Sequence, residues 1–404
     1  MTERKIRLGV AGLGRAFTLM LPTLVGDPRV QLVAAADPRP EARRQFETDF
    51  GARTYDSVDA LCGHPAVEAV YIATPHQHHA QHVELAAAHG KHVLVEKPMA
   101  IALEQCAAMI DAARRANIHL IVGHSHSFNA PILRTRAMIA SGVLGQVRMI
   151  HALNYTDYMV RPRRPEELDT AQGGGVMFSQ AAHQIDIVRL LGGGMVKSVR
   201  GTAGNWDPSR PTEGAYSAFM TFDNGAFASV AYSGYAHFDS DELTGWIGEM
   251  GIVKDPARYG EARKALRDAI DGGDESAVKN ARNYGGRNYR PSAASLSRFH
   301  QHFGPVVVSC ERGDLRPVPA GVIVYRDDKM ALEPVPVRDV QRAEVIDELY
   351  GAVVNGRTPV HSGAWAMATL ELCLAILQSG REGKELTLRH QCAAADLERS
   401  PTPS

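Results

Sequence analysis

The sequence is poor in features that mark several classes of protein. Its five cysteines in 404 residues are odd in number, widely scattered and never spaced as CxxC, which argues against both a disulfide framework and a zinc site. No stretch approaches the ~20 consecutive apolar residues that span a bilayer, and the polar start MTERKIRLGV does not resemble a signal peptide. We therefore expect a reduced, cytoplasmic protein with no metal centre and no membrane segment.

Charge of one sign is also lacking. The chain has 44 Lys and Arg against 45 Asp and Glu, a formal net charge of −1, which argues against a protein that works mainly by holding nucleic-acid phosphates. Hydrophobic residues make up 45% and charged residues 22% of the chain, an ordinary globular composition. At roughly 150 residues per domain, this length corresponds to two or three domains.

Short apolar runs alternate with helical patterns over the first part of the chain. Such alternation is typical of βαβ units, and right-handed crossovers then give a doubly wound parallel sheet of the Rossmann type. The predicted strands are Ile6–Ala11, Val30–Ala36, Ala69–Ala73, His92–Glu96 and His119–Gly123, and the predicted helices run to about Val25, over His78–His89 and over Leu103–Asn117.

The pattern changes after Pro131 and predicts a second, α+β domain. Strand runs at Ala215–Phe222 and Ala226–Ala236 flank Asn224-Gly225, a hairpin signal because both turn positions tolerate positive φ. Further elements are a strand at Val147–Tyr155 and helices at Val176–Leu191, Val340–Val354 and Gly363–Ser379. We assign residues 1–125 to a dinucleotide-binding domain and 126–395 to a substrate and oligomerisation domain. A polar insertion near 255–298 packs partly through Tyr259, Ala262, Leu266 and Ile270 at helical spacing, and residues 396–404 form a flexible tail.

A glycine-rich turn follows the first strand. Gly12, Leu13, Gly14, Arg15 and Ala16 open the first helix, where main-chain N–H groups and the helix N-terminus favour a pyrophosphate. The third fingerprint position holds Phe17 instead of Gly or Ala. Asp37 ends the second strand, 23 positions after Gly14, where a carboxylate binds ribose hydroxyls, so NAD is favoured. Arg39 and Arg43 leave NADP open, and a plain strand–turn–helix corner is the alternative.

Several motifs resemble the family of glucose–fructose oxidoreductase and inositol dehydrogenase (Gfo/Idh/MocA). They are the glycine turn with Asp37, Thr74-Pro75 with His79, Glu96-Lys97-Pro98, and Gly173-Gly174-Gly175 leading to His183 and Asp186. The resemblance implies a Rossmann domain joined to an α/β domain on an open, largely antiparallel sheet, through which relatives commonly pair. It places Thr74, Pro75, His79, Glu96 and Lys97 at the cofactor.

The resemblance also implies roles for two side chains, with Lys97 beside the nicotinamide and His183 as general acid/base. The residues themselves agree, since a Lys at the carboxyl end of a parallel strand lies where such sheets bind ligands. Ser179, His183 and Asp186 share one helical face, so we expect them to point together into a cleft. The alternatives are a solvated strand-end lysine and a helix with a polar stripe.

The chain departs from the family pattern in three places. Ser179 stands where relatives that oxidise polyols carry Asp, residues 123–128 replace the usual arginine pairs, and the 255–298 segment is enlarged. A loop with Arg161, Arg163 and Arg164 among prolines precedes the His183 helix, and guanidinium groups bind carboxylates. We therefore expect Ser179 and these arginines to contact a small anionic substrate. A solvated basic loop or a subunit contact is the alternative for the arginines.

With these departures, the sequence is most similar to the branch of phthalate 4,5-cis-dihydrodiol dehydrogenases. That resemblance implies NAD-dependent hydride transfer from a ring carbon of a carboxylated cis-dihydrodiol, giving a catechol. Two other functions stay open: an NAD(P)-dependent sugar or inositol dehydrogenase, and a non-catalytic dinucleotide-binding regulator. We expect a homodimer or homotetramer without a nucleic-acid partner.

Overall fold

The structure, a computed structural model, describes residues 4–123, 125–235, 237–271, 275–290 and 298–394. Its first layer is a parallel sheet with the strand order β3-β2-β1-β4-β5-β6. The order reverses between β1 and β4, and a crevice for ligands opens at such a point beyond the carboxyl ends of the strands. The strands are β1 (Ile6–Ala11), β2 (Val30–Ala36), β3 (Arg53–Tyr55), β4 (Ala69–Ile72), β5 (His92–Val95) and β6 (Leu120–Val122).

Helices cover both faces of this sheet, which confirms the predicted Rossmann fold. Strands β4 and β6 are buried along their whole length, as expected for parallel strands between two helical layers. The helices are α1 (Arg15–Gly26), α2 (Pro40–Phe50), α3 (Val58–Cys62), α4 (His79–Ala88) and α5 (Leu103–Arg115). Strand β3 was not predicted, because its three residues Arg-Thr-Tyr are partly exposed and too short to show a pattern.

The second layer is a mixed sheet with the order β14-β13-β12-β11-β7-β10-β9-β8-β15. Strand β10 pairs in parallel with β7, and the other pairings are antiparallel, as predicted. The strands are β7 (Val147–Tyr155), β8 (Val196–Gly204), β9 (Ala215–Phe222), β10 (Phe227–Ser233), β11 (Val306–Cys310), β12 (Gly313–Val318), β13 (Gly321–Tyr325), β14 (Met330–Pro334) and β15 (Leu386–Thr387).

The predicted hairpin joins β9 to β10, although its turn differs from the expected form. Gly225 has φ +83°, whereas Asn224 keeps negative φ and acts through its side chain. Its amide donates to Gly192 O (3.0 Å) and its oxygen accepts from Ala226 N (3.0 Å). The side chain therefore fixes the turn from outside. The predicted strand end at Ala236 lies outside the described residues.

Further helices complete the layers around the two sheets. Helix α10 follows strand β14 of the second sheet in sequence, yet Val345, Ile346 and Leu349 belong to the hydrophobic cluster of the first sheet. The chain thus returns to the Rossmann layer and brings the residues before α10 to its crevice. The helices are α6 (Ala130–Ala140), α7 (Ala182–Gly192), α8 (Glu261–Asp271), α10 (Ala343–Asn355) and α11 (Gly363–Glu382).

The polar insertion contains α8 and the short helix α9 (Glu275–Asn280). Of the four residues predicted to pack, Leu266 is buried, whereas Tyr259 and Ile270 are exposed, so the predicted packing is wrong for these two. Parts of the insertion, residues 272–274 and 291–297, lie outside the described residues, as does the tail 396–404. Within the described ranges, no helix is both long and apolar enough to cross a membrane.

Candidate active site

The glycine turn lies at the carboxyl end of β1. Gly12 has φ +92°, and a Cβ there would stand 2.8 Å from Ala73 O, the main chain following β4. Gly14 caps the N-terminus of α1, and a Cβ there would meet nothing within 4 Å. One glycine thus permits close backbone packing, whereas the other borders open space. Open space at a helix N-terminus fits a pyrophosphate group, so the predicted cofactor loop suits NAD.

Asp37 lies beside this turn with its carboxylate fully engaged. It accepts hydrogen bonds from Leu13 N (2.8 Å) and from Arg39 N (2.9 Å), Nε (3.0 Å) and NH2 (3.1 Å). Arg39 also donates to Leu13 O (2.9 Å). The structure therefore brings Leu13, Asp37 and Arg39 together, and Arg39 occupies donor positions on the carboxylate that a ribose diol would use.

Phe17, the unusual third residue of the fingerprint, packs against the insertion. Its buried ring meets Tyr284 edge-on, with centroids 5.2 Å apart, and lies 6.1 Å from Phe46 of α2. Next to Tyr284, Gly285 has φ +74°, and a Cβ there would stand 2.7 Å from Ala42 Cα. The aromatic residue at this position therefore packs the insertion against the Rossmann layer, a contact that Gly or Ala would not make.

The loops after β4 and β5 are joined by His79. Its two ring nitrogens face Thr74 O (2.9 Å) and Pro98 O (2.9 Å), and the side chain is fully buried. Burial lowers the pKa of His79. We predicted a cofactor contact for His79, and here it holds the Thr74-Pro75 loop against the main-chain oxygen of Pro98, the residue that follows the cis Lys97–Pro98 bond. Its imidazole thus forms part of the wall behind the crevice.

Lys97 and His183 line one cleft of about 640 Å³. The Lys97 ammonium donates to the main-chain oxygen of Ser179 (2.8 Å). Burial lowers the pKa of Lys97, which the carboxylates of Glu96 and Glu249 partly offset. A lowered pKa brings the amine closer to exchanging a proton near neutral pH. The structure thus brings together the two side chains that the motifs singled out.

The predicted alignment of Ser179, His183 and Asp186 is wrong in part. Residues Met177–Ala181 form a π-helical turn before α7, which changes the angular spacing on which the prediction relied. Ser179 reaches Lys97 through its main chain, and its neighbour Gln180 lines the cleft. Asp186 is buried and accepts from the indole of Trp365 (2.5 Å) and from the hydroxyl of Ser127. The carboxylate therefore faces the interior instead of the cleft.

The arginine loop is split between the cleft and the surface. Arg161 lines the cleft and donates from Nε to Asp157 Oδ1 (2.8 Å). Arg163 also lines it, with its guanidinium 3.5 Å from the centroid of the Tyr158 ring. Arg164 instead pairs with Glu166 (3.2 Å). The structure thus places Arg161 and Arg163 in the lining of the cleft, whereas local acidic residues hold the side chain of Arg164.

Comparison with known proteins decides the family. A model described as the oxidoreductase family with an NAD-binding Rossmann fold matches residues 6–124, and the GFO/IDH/MocA C-terminal domain matches residues 132–254. The chain belongs to the GFO/IDH/MocA family. It is an oxidoreductase, and the predicted family, fold and NAD cofactor are confirmed.

Two relatives cover nearly the whole chain. A 1-carboxy-3-chloro-3,4-dihydroxycyclohexa-1,5-diene dehydrogenase from Comamonas testosteroni is 50% identical over 377 residues, which are 93% of this chain and 95% of the relative. A dehydrogenase from Bordetella bronchiseptica RB50 of known structure is 40% identical, with a TM-score of 0.90 over 95% of this chain and 100% of that one. By contrast, inositol 2-dehydrogenase from Rhizobium meliloti is 29% identical over 200 residues, covering 49% of this chain and 58% of the relative.

Several residues that line this GFO/IDH/MocA cleft were not predicted as site residues from the sequence. His126, in the stretch that departs from the family pattern, directs Nε2 at Glu249 Oε1 (3.2 Å), and its ring centroid lies 4.7 Å from that of His183. Burial alone would raise the pKa of Glu249. The opposing effects of His126, Arg161 and His302 are together larger and lower this pKa to about 2. No local pattern marked Glu249, because the loop after β10 brings it to His126 from 123 positions away.

The cleft is rich in cations. Four of its cations were named from sequence motifs, namely Arg15, Lys97, Arg161 and Arg163. Three more line the same wall and belong to no site motif, namely Lys279, Arg282 and Arg342. The carboxylates in the same lining are Glu96, Asp157 and Glu249. Burial and the nearby guanidinium groups of Arg161 and Arg282 lower the pKa of Arg15. Cations therefore outnumber carboxylates in this wall, which favours an anionic ligand.

Proposed function

We propose that the chain oxidises a carboxylated cis-dihydrodiol to a catechol with NAD⁺. The observation that carries this proposal is the excess of cations in the cleft around Lys97 and His183. The 50% identity to the Comamonas enzyme, whose name describes a carboxylated cyclohexadiene diol, supports the same substrate class. The partial match to inositol 2-dehydrogenase, at 29% identity over half of this chain, gives much weaker support to a polyol.

The proposed reaction breaks one C–H and one O–H bond of the diol. When bound, NAD⁺ accepts the hydride from the ring carbon, and Gly12, Gly14 and Asp37 are the residues that would hold it. Lys97 would polarise the hydroxyl and stabilise negative charge on its oxygen, while His183 would take the proton. The resulting hydroxyketone tautomerises to a catechol, and the gain of aromaticity favours the direction of diol oxidation.

The formation of NADH with a carboxylated cis-dihydrodiol, the matching uncarboxylated diol and myo-inositol tests the proposal. We expect turnover of the carboxylated diol with the highest kcat/KM. Turnover of inositol alone would reject the dihydrodiol in favour of a polyol dehydrogenase. NAD binding without any turnover would instead favour a regulator. Repeating the assay with NADP⁺ tests the cofactor preference, since Asp37 would repel a 2′-phosphate.

Lys97→Met tests the catalytic assignment. It removes the ammonium but keeps most of the side-chain length, so we expect kcat to fall by about 10²- to 10⁴-fold. Lys91→Met is a matched control, because Lys91 precedes the opposite end of β5 and donates to Val67 O (2.7 Å). Near-wild-type kcat in Lys97→Met would refute the role of Lys97.

We also propose a cytoplasmic homodimer or homotetramer that pairs through the open face of the second sheet and has no nucleic-acid partner. Phe219 of β9 and Phe227 of β10 lie on this face, 46% and 38% exposed, with ring centroids 5.7 Å apart. Exposed aromatic pairs on a sheet favour association. Light scattering of Phe219→Glu with Phe227→Glu should then give monomers, and an unchanged oligomer would exclude this face.

A further inference from the structure

Arg342 has a strained backbone at the edge of the cleft. It immediately precedes α10 with φ +57° and ψ +20°, in the left-handed region. A non-glycine residue in this region is strained and persists where the surrounding structure or a function requires it. Asn117 and Trp246 share this sign of φ among the described non-glycine residues. A glycine would relieve the strain at position 342, so the presence of an arginine there indicates a role for its side chain.

The side chain of Arg342 extends into the cleft that holds Lys97 and His183. Its Nε donates to Gln301 Oε1 (3.0 Å), and NH2 lies 3.6 Å from Met250 Sδ. Neither partner carries a negative charge. Burial lowers the pKa of Arg342, while Glu96 opposes this effect. The guanidinium nevertheless stays charged, because arginine does not lose its proton in proteins.

Two other guanidinium groups in this wall, those of Arg161 and Arg163, are more fully engaged. Arg161 has Asp157 as a counter-ion. Arg163 stacks on the Tyr158 ring and donates to Tyr158 O (2.7 Å). Arg342 contributes to the electrostatic environment of Lys97, whose pKa it helps to lower. It is thus a cation near Lys97 whose direct hydrogen-bond partners, Gln301 and Met250, are both neutral.

We propose that Arg342 is the specificity-determining residue that binds the substrate's ring carboxylate. This inference rests on the function proposed above and adds to it a residue that no sequence motif marks. A guanidinium binds a carboxylate through two parallel N–H···O bonds, which fixes orientation as well as charge. The strained main chain before α10 aims this fork into the cleft, and Gln301 holds its Nε. The carboxylate then orients the ring and its diol toward Lys97.

Arg342→Gln and Arg342→Gly test this role through substrate selectivity. We expect the ratio of kcat/KM for the carboxylated over the uncarboxylated cis-dihydrodiol to fall roughly 10- to 150-fold in both variants, the loss of a charge-assisted hydrogen bond. The thermal midpoint of Arg342→Gly should stay at or above that of the wild type, because glycine relieves the left-handed strain. Arg338→Gln is the matched control, since Arg338 precedes the same helix and pairs with Asp347 at the surface.

Calorimetric binding of phthalate to the NADH-loaded protein tests Arg342 separately from turnover. We expect phthalate to bind the wild type and Arg338→Gln, and to bind both Arg342 variants at least 10-fold more weakly. Equal phthalate binding by all four proteins would overturn the proposal even if the dihydrodiol is turned over. A rise in KM for NAD⁺ with an unchanged selectivity ratio would also overturn it, by assigning Arg342 to the cofactor. Phthalate binding that depends on Arg342, without dihydrodiol turnover, would support the anion site and reject the proposed reaction.

Discussion

A buried chain of polar groups behind the cleft makes a prediction about stability. Glu348 of α10 accepts from His361 N (2.6 Å) and faces His361 Nδ1 (2.8 Å). His361 Nε2 lies 2.8 Å from the hydroxyl of Ser127, which donates to Asp186. This series of hydrogen-bonded side chains thus links α10, which packs on the Rossmann sheet, to α7 of the second layer. We predict that Glu348→Gln destabilises the whole protein.

The magnitude follows from the burial of His361, whose side chain is 1% exposed. Breaking a buried ion pair by removing one partner costs about 3–5 kcal/mol. Because the Gln oxygen still accepts one of the two hydrogen bonds, we expect a loss of about 3 kcal/mol in the free energy of unfolding. Asp347→Asn is the matched control on the same helix. Its carboxylate pairs at the surface with Arg29 and Arg338, and such pairs contribute roughly 0–1 kcal/mol.

The sign of the pH dependence provides an independent test. Burial lowers the pKa of His361, but Glu348 and Asp186 raise it above the ordinary 6.5. Protonated His361 therefore stabilises the wild type fully below pH 6.5, and this contribution disappears as pH rises through the higher folded-state pKa. Without Glu348, we expect burial to lower the folded-state pKa, so the variant gains stability as pH rises from that lowered pKa to about 6.5 and does not lose it above. The difference between the two proteins should shrink with rising pH.

Urea unfolding of both variants and the wild type at about pH 6 and about pH 9 measures this difference. A destabilisation that is larger near pH 6 than near pH 9 supports the ion pair. Equal destabilisation at both pH values would show that His361 is neutral in the folded protein. A loss no greater than that of Asp347→Asn would refute the claim that the buried chain holds the two layers together.

Three further predictions concern the cofactor site. Gly12→Ala should lower the free energy of unfolding by at least ~1 kcal/mol, because its Cβ meets Ala73 O and its φ is positive; an unchanged urea midpoint would contradict this. Gly14→Ala has room for its Cβ, so it should keep the wild-type midpoint and raise KM for NAD⁺. Arg39→Ala frees Asp37 and should lower KM for NAD⁺ while raising it for NADP⁺; the opposite shifts in steady-state kinetics would count against a blocking role for Arg39.

The Rossmann layer was largely predictable from sequence because its signals are local. A strand such as β1 is buried on both faces and stands out as an apolar run, and the glycine turn follows it directly. The later strands β11 to β14 were not predicted. Strands β12 and β14 lack such contrast, because β12 carries Asp314 and Arg316 on a half-exposed strand and β14 is mostly exposed. The short apolar runs of β11 and β13 were missed. Their pairing depends on neighbours in space and not on their own pattern.

The same distinction applies to the site. Lys97 and His183 lie in short motifs whose position at a strand end or before a helix indicates their chemistry. Glu249 and Arg342 have no such context, because each reaches the cleft through the packing of an element far along the chain. The π-helical turn at Met177–Ala181 also escaped prediction. It follows Gly175, where a Cβ would collide with Glu213, and the local sequence does not reveal this distant contact.

The aromatic fingerprint residue, the insertion and the positive cleft are linked features of one structure. Tyr284 packs on Phe17, and Gly285 approaches the main chain of Ala42, which fixes the insertion on the first layer. Two residues before Tyr284, Arg282 faces the cleft. A small residue at position 17 would remove the ring that anchors this segment. The departure that weakens the glycine fingerprint therefore supports the positive charge that favours an anionic substrate.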